Sequence, residues 1–123
     1  MAVTLSTIVI DASDPVALTS FWQAVLEWDV IDRSGHDWLE LGPAGRSGTT
    51  VLIQKVPEGK SAKNRLHLDL TPRDAAQDTE LERLLALGAT HADVGQENEP
   101  WIVLADPEGN EFCLMQAEGS PDG

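Results

Sequence analysis

Residues Trp101–Gln116 read WIVLADPEGNEFCLMQ, two apolar runs either side of a concentrated turn signal. Trp101–Ala105 is apolar and β-branched, and Phe112–Met115 is a second apolar run. Between them, Asp106-Pro107-Glu108-Gly109-Asn110 supplies a proline that fixes φ and a glycine that tolerates positive φ. The pattern predicts a hairpin. Alternation on its second strand puts Glu111, Cys113 and Met115 on one face and Phe112, Leu114 and Gln116 on the other.

Working outward, the 123 residues predict one domain, 1–123, large enough to bury a core. A hydrophobic content of 41% and a charged content of 24% fit an ordinary globular chain. No run approaches the ~18 apolar residues of a membrane span, and the N-terminus lacks a basic region leading into an apolar core. A cytoplasmic location is expected. The single cysteine excludes an intramolecular disulfide and a CxxC zinc pair. Net charge is −13, from 21 acidic and 8 basic residues. Nucleic-acid binding needs a basic patch that releases counterions, and anionic membranes need the same sign of charge, so neither partner is expected.

Leu5–Asp11 reads as a strand, and Asp14-Pro15 as the cap and first position of a helix. Leu18, Phe21, Trp22 and Val25 give that helix an apolar face. Asp29–Arg33, Asp37–Leu41 and Thr49–Val56 follow as strands, and the polar loop Pro57–Lys63 marks the boundary between halves. Asn64–Leu70, NRLHLDL, alternates, with His67 and Asp69 opposite Leu66, Leu68 and Leu70. Thr71-Pro72 reads as a second helix start, with Asp74 completing a weak capping box. Leu81, Leu84 and Leu85 form that helix's buried stripe, and Gly88 closes it. Thr90–Val94 is a further strand, followed by the loop Gly95–Pro100 and the hairpin. The order is strand–helix–three strands, twice, over modules of about residues 3–57 and 64–117. Aligning the helix ends Glu27 and Gly88 places His67 opposite Ser6.

This order and the ADPEGNEF turn resemble the vicinal oxygen chelate superfamily (glyoxalase I, bleomycin resistance proteins, extradiol dioxygenases). Within it, NRLHLDL … GAT … WIVLADPEGNEFC is similar to glyoxalase-like domain proteins. The resemblance covers Leu5 to Gln116. It implies an α+β fold of two tandem βαβββ modules whose curved mixed sheets surround a cleft, with the helices outside. It also implies a homodimer and a small-molecule ligand or substrate.

Metal-using relatives draw ligands from the first, fourth, fifth and eighth strands. The corresponding positions here fall near Ser6, Gln54, His67 and Cys113. The last matters most, because the family's metal-binding glutamate usually sits four residues after the turn glycine. A His67, Gln54 and Cys113 set is unusual for hard octahedral metals, although Zn, Ni, Fe or Mn remains open as a cofactor. Glyoxalase I chemistry also requires a carboxylate-like base at the metal, which neither Gln54 nor Cys113 supplies. Two readings follow. One is a metal-free binding module, as in bleomycin resistance proteins. The other is a metal-dependent lyase, isomerase or dioxygenase acting on a small oxygenated metabolite.

The expected ligand-binding surface comprises Ser6, Ile8, Gln54, Asp69, Trp101, Glu111 and Cys113, with His67 as the candidate catalytic residue. His67 reads equally as a residue lining a wet cleft. Cys113 reads as a small buried residue, and its acidic surroundings do not favour a reactive thiolate. An acid–base pair of His67 with Asp69 or Glu111, without metal, is a further reading. The i, i+2 spacing along a strand puts such side chains on the same face but several ångströms apart, so they are not read as a dyad.

Overall fold

The computed structural model describes residues 2–45, 48–92 and 99–118. It divides into two compact units, residues 1–59 and 60–123, each carrying one helix and a four-stranded mixed sheet. The fold is α+β.

In the first unit, β1 (Thr7–Ala12) leads into α1 (Pro15–Leu26), followed by β2 (Asp29–Ser34), β3 (Trp38–Gly42) and β4 (Thr50–Lys55). Asp14 caps α1, its carboxylate accepting from the Ala17 N–H at 3.2 Å, and Pro15 takes the first turn. Leu18, Phe21, Trp22 and Val25 are all buried, and Phe21 meets Trp22 edge-on with ring centroids 5.2 Å apart. Glu27 ends the helix in the left-handed conformation, at φ 56°.

Sheet order is β1-β4-β3-β2, with β1 parallel to β4. Registered neighbours share a face, so Ile8 and Ile10 lie beside the buried Val51 and Ile53. On the opposite face lie Thr7, Asp11, Trp38, Glu40, Thr50 and Gln54. Polar groups there satisfy one another. Thr50 Oγ1 lies 2.6 Å from Glu40 Oε2 and 2.9 Å from Thr7 Oγ1, and Gln54 Nε2 donates to Asp11 Oδ1 at 2.9 Å.

The second unit runs β5 (Asp69–Leu70), α2 (Gln77–Leu87), β6 (Thr90–His91), β7 (Ile102–Ala105) and β8 (Glu111–Leu114), in sheet order β5-β8-β7-β6. Its strands are shorter than their sequence signals. The expected Asn64–Leu70 strand is a strand only over Asp69–Leu70, with the Leu68 carbonyl also accepting the Cys113 N–H at 2.9 Å, and Leu66 is 88% exposed rather than buried. The expected Thr90–Val94 strand is seen at Thr90–His91, while residues 93–98 lie outside the described residues.

The second helix also starts later than Thr71-Pro72 predicts. Pro72 is buried and residues 73–75 bend, so the N-cap is Ala76, without a side-chain cap. Gln77 instead ties the helix start to its surroundings, donating from Nε2 to the Pro100 carbonyl at 2.8 Å and the Leu114 carbonyl at 3.1 Å. Gly88, at φ 123°, closes the other end as expected, its N–H shared by the Leu84 and Leu85 carbonyls.

The hairpin forms as predicted. Asp106 is 3% exposed, and its Oδ1 accepts from the Glu108 and Asn110 N–H groups, each at 2.9 Å. Gly109 sits at φ 90°, where a side chain would be strained. Phe112 and Leu114 fall on one face with Leu104; Glu111 and Cys113 fall on the other with Val103. No helix of the described residues is long and apolar enough to cross a membrane.

Candidate functional site

Strand β8 runs parallel to β5, with Asp69 registered on Cys113. Their side chains therefore emerge on one face, with Glu111 two residues along. This register brings a carboxylate beside the thiol.

His67 joins them. It lies two residues before Asp69, on the side a strand's alternation shares, and its Nε2 lies 3.2 Å from Asp69 Oδ1. The expected separation of several ångströms is corrected to a direct contact, and the acid–base pairing left open by the sequence is with Asp69 rather than Glu111. The pair is an ion pair when the imidazole is protonated and a hydrogen bond when it is neutral. Candidate donor atoms of His67, Asp69 and Cys113 all lie within 4.8 Å of one another. The His67 and Asp69 side chains are 47% and 54% exposed, whereas Cys113 is 7% exposed. The group thus has a buried floor and a solvent-facing mouth.

Burial pushes the Cys113 thiol above its ordinary range, and the charge and hydrogen bond of Asp69 push it further, against a weaker opposing pull from Lys63. A raised value keeps the sulfur protonated near neutral pH. The acidic surroundings read from the sequence act in this direction.

Glu111 is occupied differently. Its carboxylate meets Lys60 Nζ at 2.7 Å and accepts the Asn64 N–H at 3.2 Å, with the side chain only 11% exposed. Burial alone would raise its pKa, but the Lys60 and Asn64 contacts outweigh that and hold it below the usual 4.5. Asn64 Nδ2 also reaches Asn110 Oδ1 at 3.2 Å. Glu111 therefore fastens the 60–64 segment, which leads to His67, onto the DPEGN turn. Sequence reasoning missed Lys60 and Asn64, since no local spacing links them to position 111.

The remaining predicted residues each have a place within their own unit. Gln54 belongs to the first unit, its amide held by Asp11. Ile8 lies on the opposite face of that sheet from Gln54, beside Val51, so the two do not line one surface. Ser6 precedes β1, and its carbonyl accepts the Thr50 N–H at 3.0 Å. Trp101 is half-buried at the entrance to β7. Asp69, expected only as a ligand-binding residue, is the carboxylate in the metal-capable group. The parallel register that pairs it with Cys113 was the signal available for it.

The doubled βαβββ order is that of the vicinal oxygen chelate class. The sequence profile described as "Glyoxalase-like domain" matches residues 7–115, and the chain belongs to that family.

Solved structures share the fold. One is a glyoxalase/bleomycin resistance protein/dioxygenase family enzyme from Burkholderia phytofirmans, 24% identical, with a TM-score of 0.69 over 91% of this chain and 97% of that one. Another is a mutant of the fosfomycin resistance protein FosX from Listeria monocytogenes, complexed with Mn(II) and 1S,2S-dihydroxypropylphosphonic acid. It is 20% identical, with a TM-score of 0.73 over 97% of this chain and 94% of that one. A third, the oxidase ChaP-H2, is 20% identical, with a TM-score of 0.67 over 98% of each chain. Among curated proteins, a 44-residue stretch is 43% identical to a probable cytoplasmic asparagine–tRNA ligase of Schizosaccharomyces pombe. That stretch is 36% of this chain and 8% of the ligase's length.

Proposed function

We propose that this glyoxalase-like domain binds a small oxygen-bearing molecule at the His67–Asp69–Cys113 group, and that glyoxalase I chemistry is not its activity. The observation that carries this reading is the convergence of an imidazole, a carboxylate and a buried thiol within 4.8 Å on one sheet face. His67, oriented by Asp69, donates to or accepts from a ligand oxygen. Cys113 contributes a small protonated floor where relatives place a glutamate. That substitution removes the carboxylate from this strand position, and Glu111 does not replace it, because Lys60 and Asn64 already hold its oxygens. The carboxylate in the group is Asp69, which His67 contacts.

A second reading is a metal-dependent lyase, isomerase or dioxygenase. It is supported by the metal-capable character of the same three residues and by structural neighbours that are enzymes, among them FosX with Mn(II) and a dihydroxy phosphonate.

The test is a thermal-shift screen of small diols, dicarbonyls, catechols and phosphonates against wild type and His67→Ala. A ligand at about 100 times its Kd stabilises the protein by about 2.7 kcal/mol. His67→Ala should abolish that shift, while the unliganded protein keeps its stability to within about 0.5 kcal/mol, as for an exposed position. An equal shift in the variant would remove His67 from the site.

A further inference from the structure

Mn(II), present in the FosX neighbour, is a hard cation suited to carboxylate, carbonyl and water oxygens in octahedral geometry. This chain's group offers one nitrogen, one oxygen and one sulfur. Only one donor in three suits manganese. The sulfur is also the donor least able to leave, since Cys113 is 7% exposed and its strand is registered on β5 at Asp69. Gln54, the neutral residue the sequence offers for a further position, donates from its amide nitrogen to Asp11 Oδ1 at 2.9 Å.

The distances suit a smaller, tetrahedral arrangement. A four-coordinate ion with bonds of about 2.0–2.3 Å holds its ligand atoms about 3.3–3.6 Å apart. His67 Nε2 and Asp69 Oδ1 already stand 3.2 Å apart, and all three donors lie within 4.8 Å. A rotation of the exposed His67 and Asp69 side chains covers the remainder.

We propose that the His67–Asp69–Cys113 group is a site for a thiophilic divalent cation of the zinc class and that it discriminates against Mn(II). The ion binds His67 nitrogen, Asp69 oxygen and Cys113 sulfur, and the thiol proton leaves to solvent. A neutral imidazole, a carboxylate and a thiolate together carry the two negative charges that balance the dication. Three protein donors beneath a solvent-facing mouth leave a fourth position open, the pattern of zinc sites that take water or an exogenous ligand rather than of closed structural sites. The inference rests on the same residues as the proposed small-molecule site but requires no organic ligand.

The test uses full-length protein freed of metal with a chelator. It is titrated with Co(II) followed by absorption, with Zn(II) in competition, and with Mn(II) followed by the paramagnetic resonance of the free ion. The expected result is one Co(II) per chain with a sulfur-to-cobalt charge-transfer band and tetrahedral d–d absorption, displaced by Zn(II), and no uptake of Mn(II). Cys113→Ser should remove the charge-transfer band and weaken Zn(II) by at least about 100-fold, because even groups one shell further out are worth about 10–100-fold. If Cys113→Ser fails to fold, Asp69→Asn, at an exposed side chain, should lower Zn(II) affinity in folded protein.

Mn(II) bound as tightly as Zn(II), Co(II) bound without the sulfur band, or no uptake of Zn(II) or Co(II) would each overturn the proposal. The thermal-shift screen, repeated on the metal-free protein, separates the two readings. A ligand shift without metal uptake sinks only the metal site, and metal uptake without any ligand shift sinks only the small-molecule reading.

Discussion

The two halves share an element order and differ in what they do with it. In the first, every strand runs five or six residues, and α1 buries Leu18, Phe21, Trp22 and Val25. In the second, the strands run two to four residues among the described residues, and Leu84 is the only residue of α2 that is fully buried. Their polar sheet faces differ in the same sense. Thr7, Glu40 and Thr50 bond to one another, as do Asp11 and Gln54, which leaves that face largely self-satisfied. On the second sheet, His67, Asp69 and Cys113 converge with two of the three side chains open to water. The first copy carries the larger buried helix face, and the second carries the more open cluster of titratable side chains.

The strongest way to break this contrast is to attack the first core. Trp22→Ala should cost about 3–5 kcal/mol, a large share of the ~5–15 kcal/mol available to a domain. Leu84→Ala in α2 should cost less, about 2–3 kcal/mol. Urea unfolding followed by circular dichroism gives both values, and equal losses would end the claim of asymmetry.

Next in size is the Lys60–Glu111 pair, which fastens the approach to His67. Glu111→Gln should lose about 1–2 kcal/mol at pH 7, between the values of exposed and buried pairs. Because the folded pKa of Glu111 is lowered, its contribution is complete above the ordinary value of 4.5 and disappears as pH falls through the folded value. The gap between wild type and variant should therefore close in acid. A gap that persists well below pH 4.5 would mean the lost stability comes from packing rather than from charge.

How much of this was legible in the sequence depended on how local its cause was. The hairpin, α1 and the face pattern around Cys113 follow from residues a few positions apart, and all three appear as read. The cleft composition did not follow, because it requires register. Ile8 and Gln54 both looked usable, yet β1–β4 pairing sends them to opposite faces. The shared face of His67 and Asp69 follows from the alternation of NRLHLDL, but their 3.2 Å contact does not, because it depends on side-chain rotamers that spacing does not give. Lys60 and Asn64 reach Glu111 across more than forty positions, a separation that no spacing rule spans.

The smallest expected effect sharpens the comparison most, because it sets two near-identical signals against each other. Asp14-Pro15 and Thr71-Pro72 both present a capping side chain before a proline. At the first, the carboxylate reaches the Ala17 N–H and the helix begins. At the second, the proline is buried, the chain bends, and the helix waits until Gln77, whose side chain anchors its start to two carbonyls. Asp14→Ala should therefore cost about 1 kcal/mol, the usual worth of an N-cap. Thr71→Ala should stay within about 0.5 kcal/mol, as at a surface position. Gln77→Ala should exceed it, since it strips donors from the Pro100 and Leu114 carbonyls. If Thr71→Ala instead matched Asp14→Ala, the second helix would be capped where the sequence first suggests, and its late start would lose its explanation.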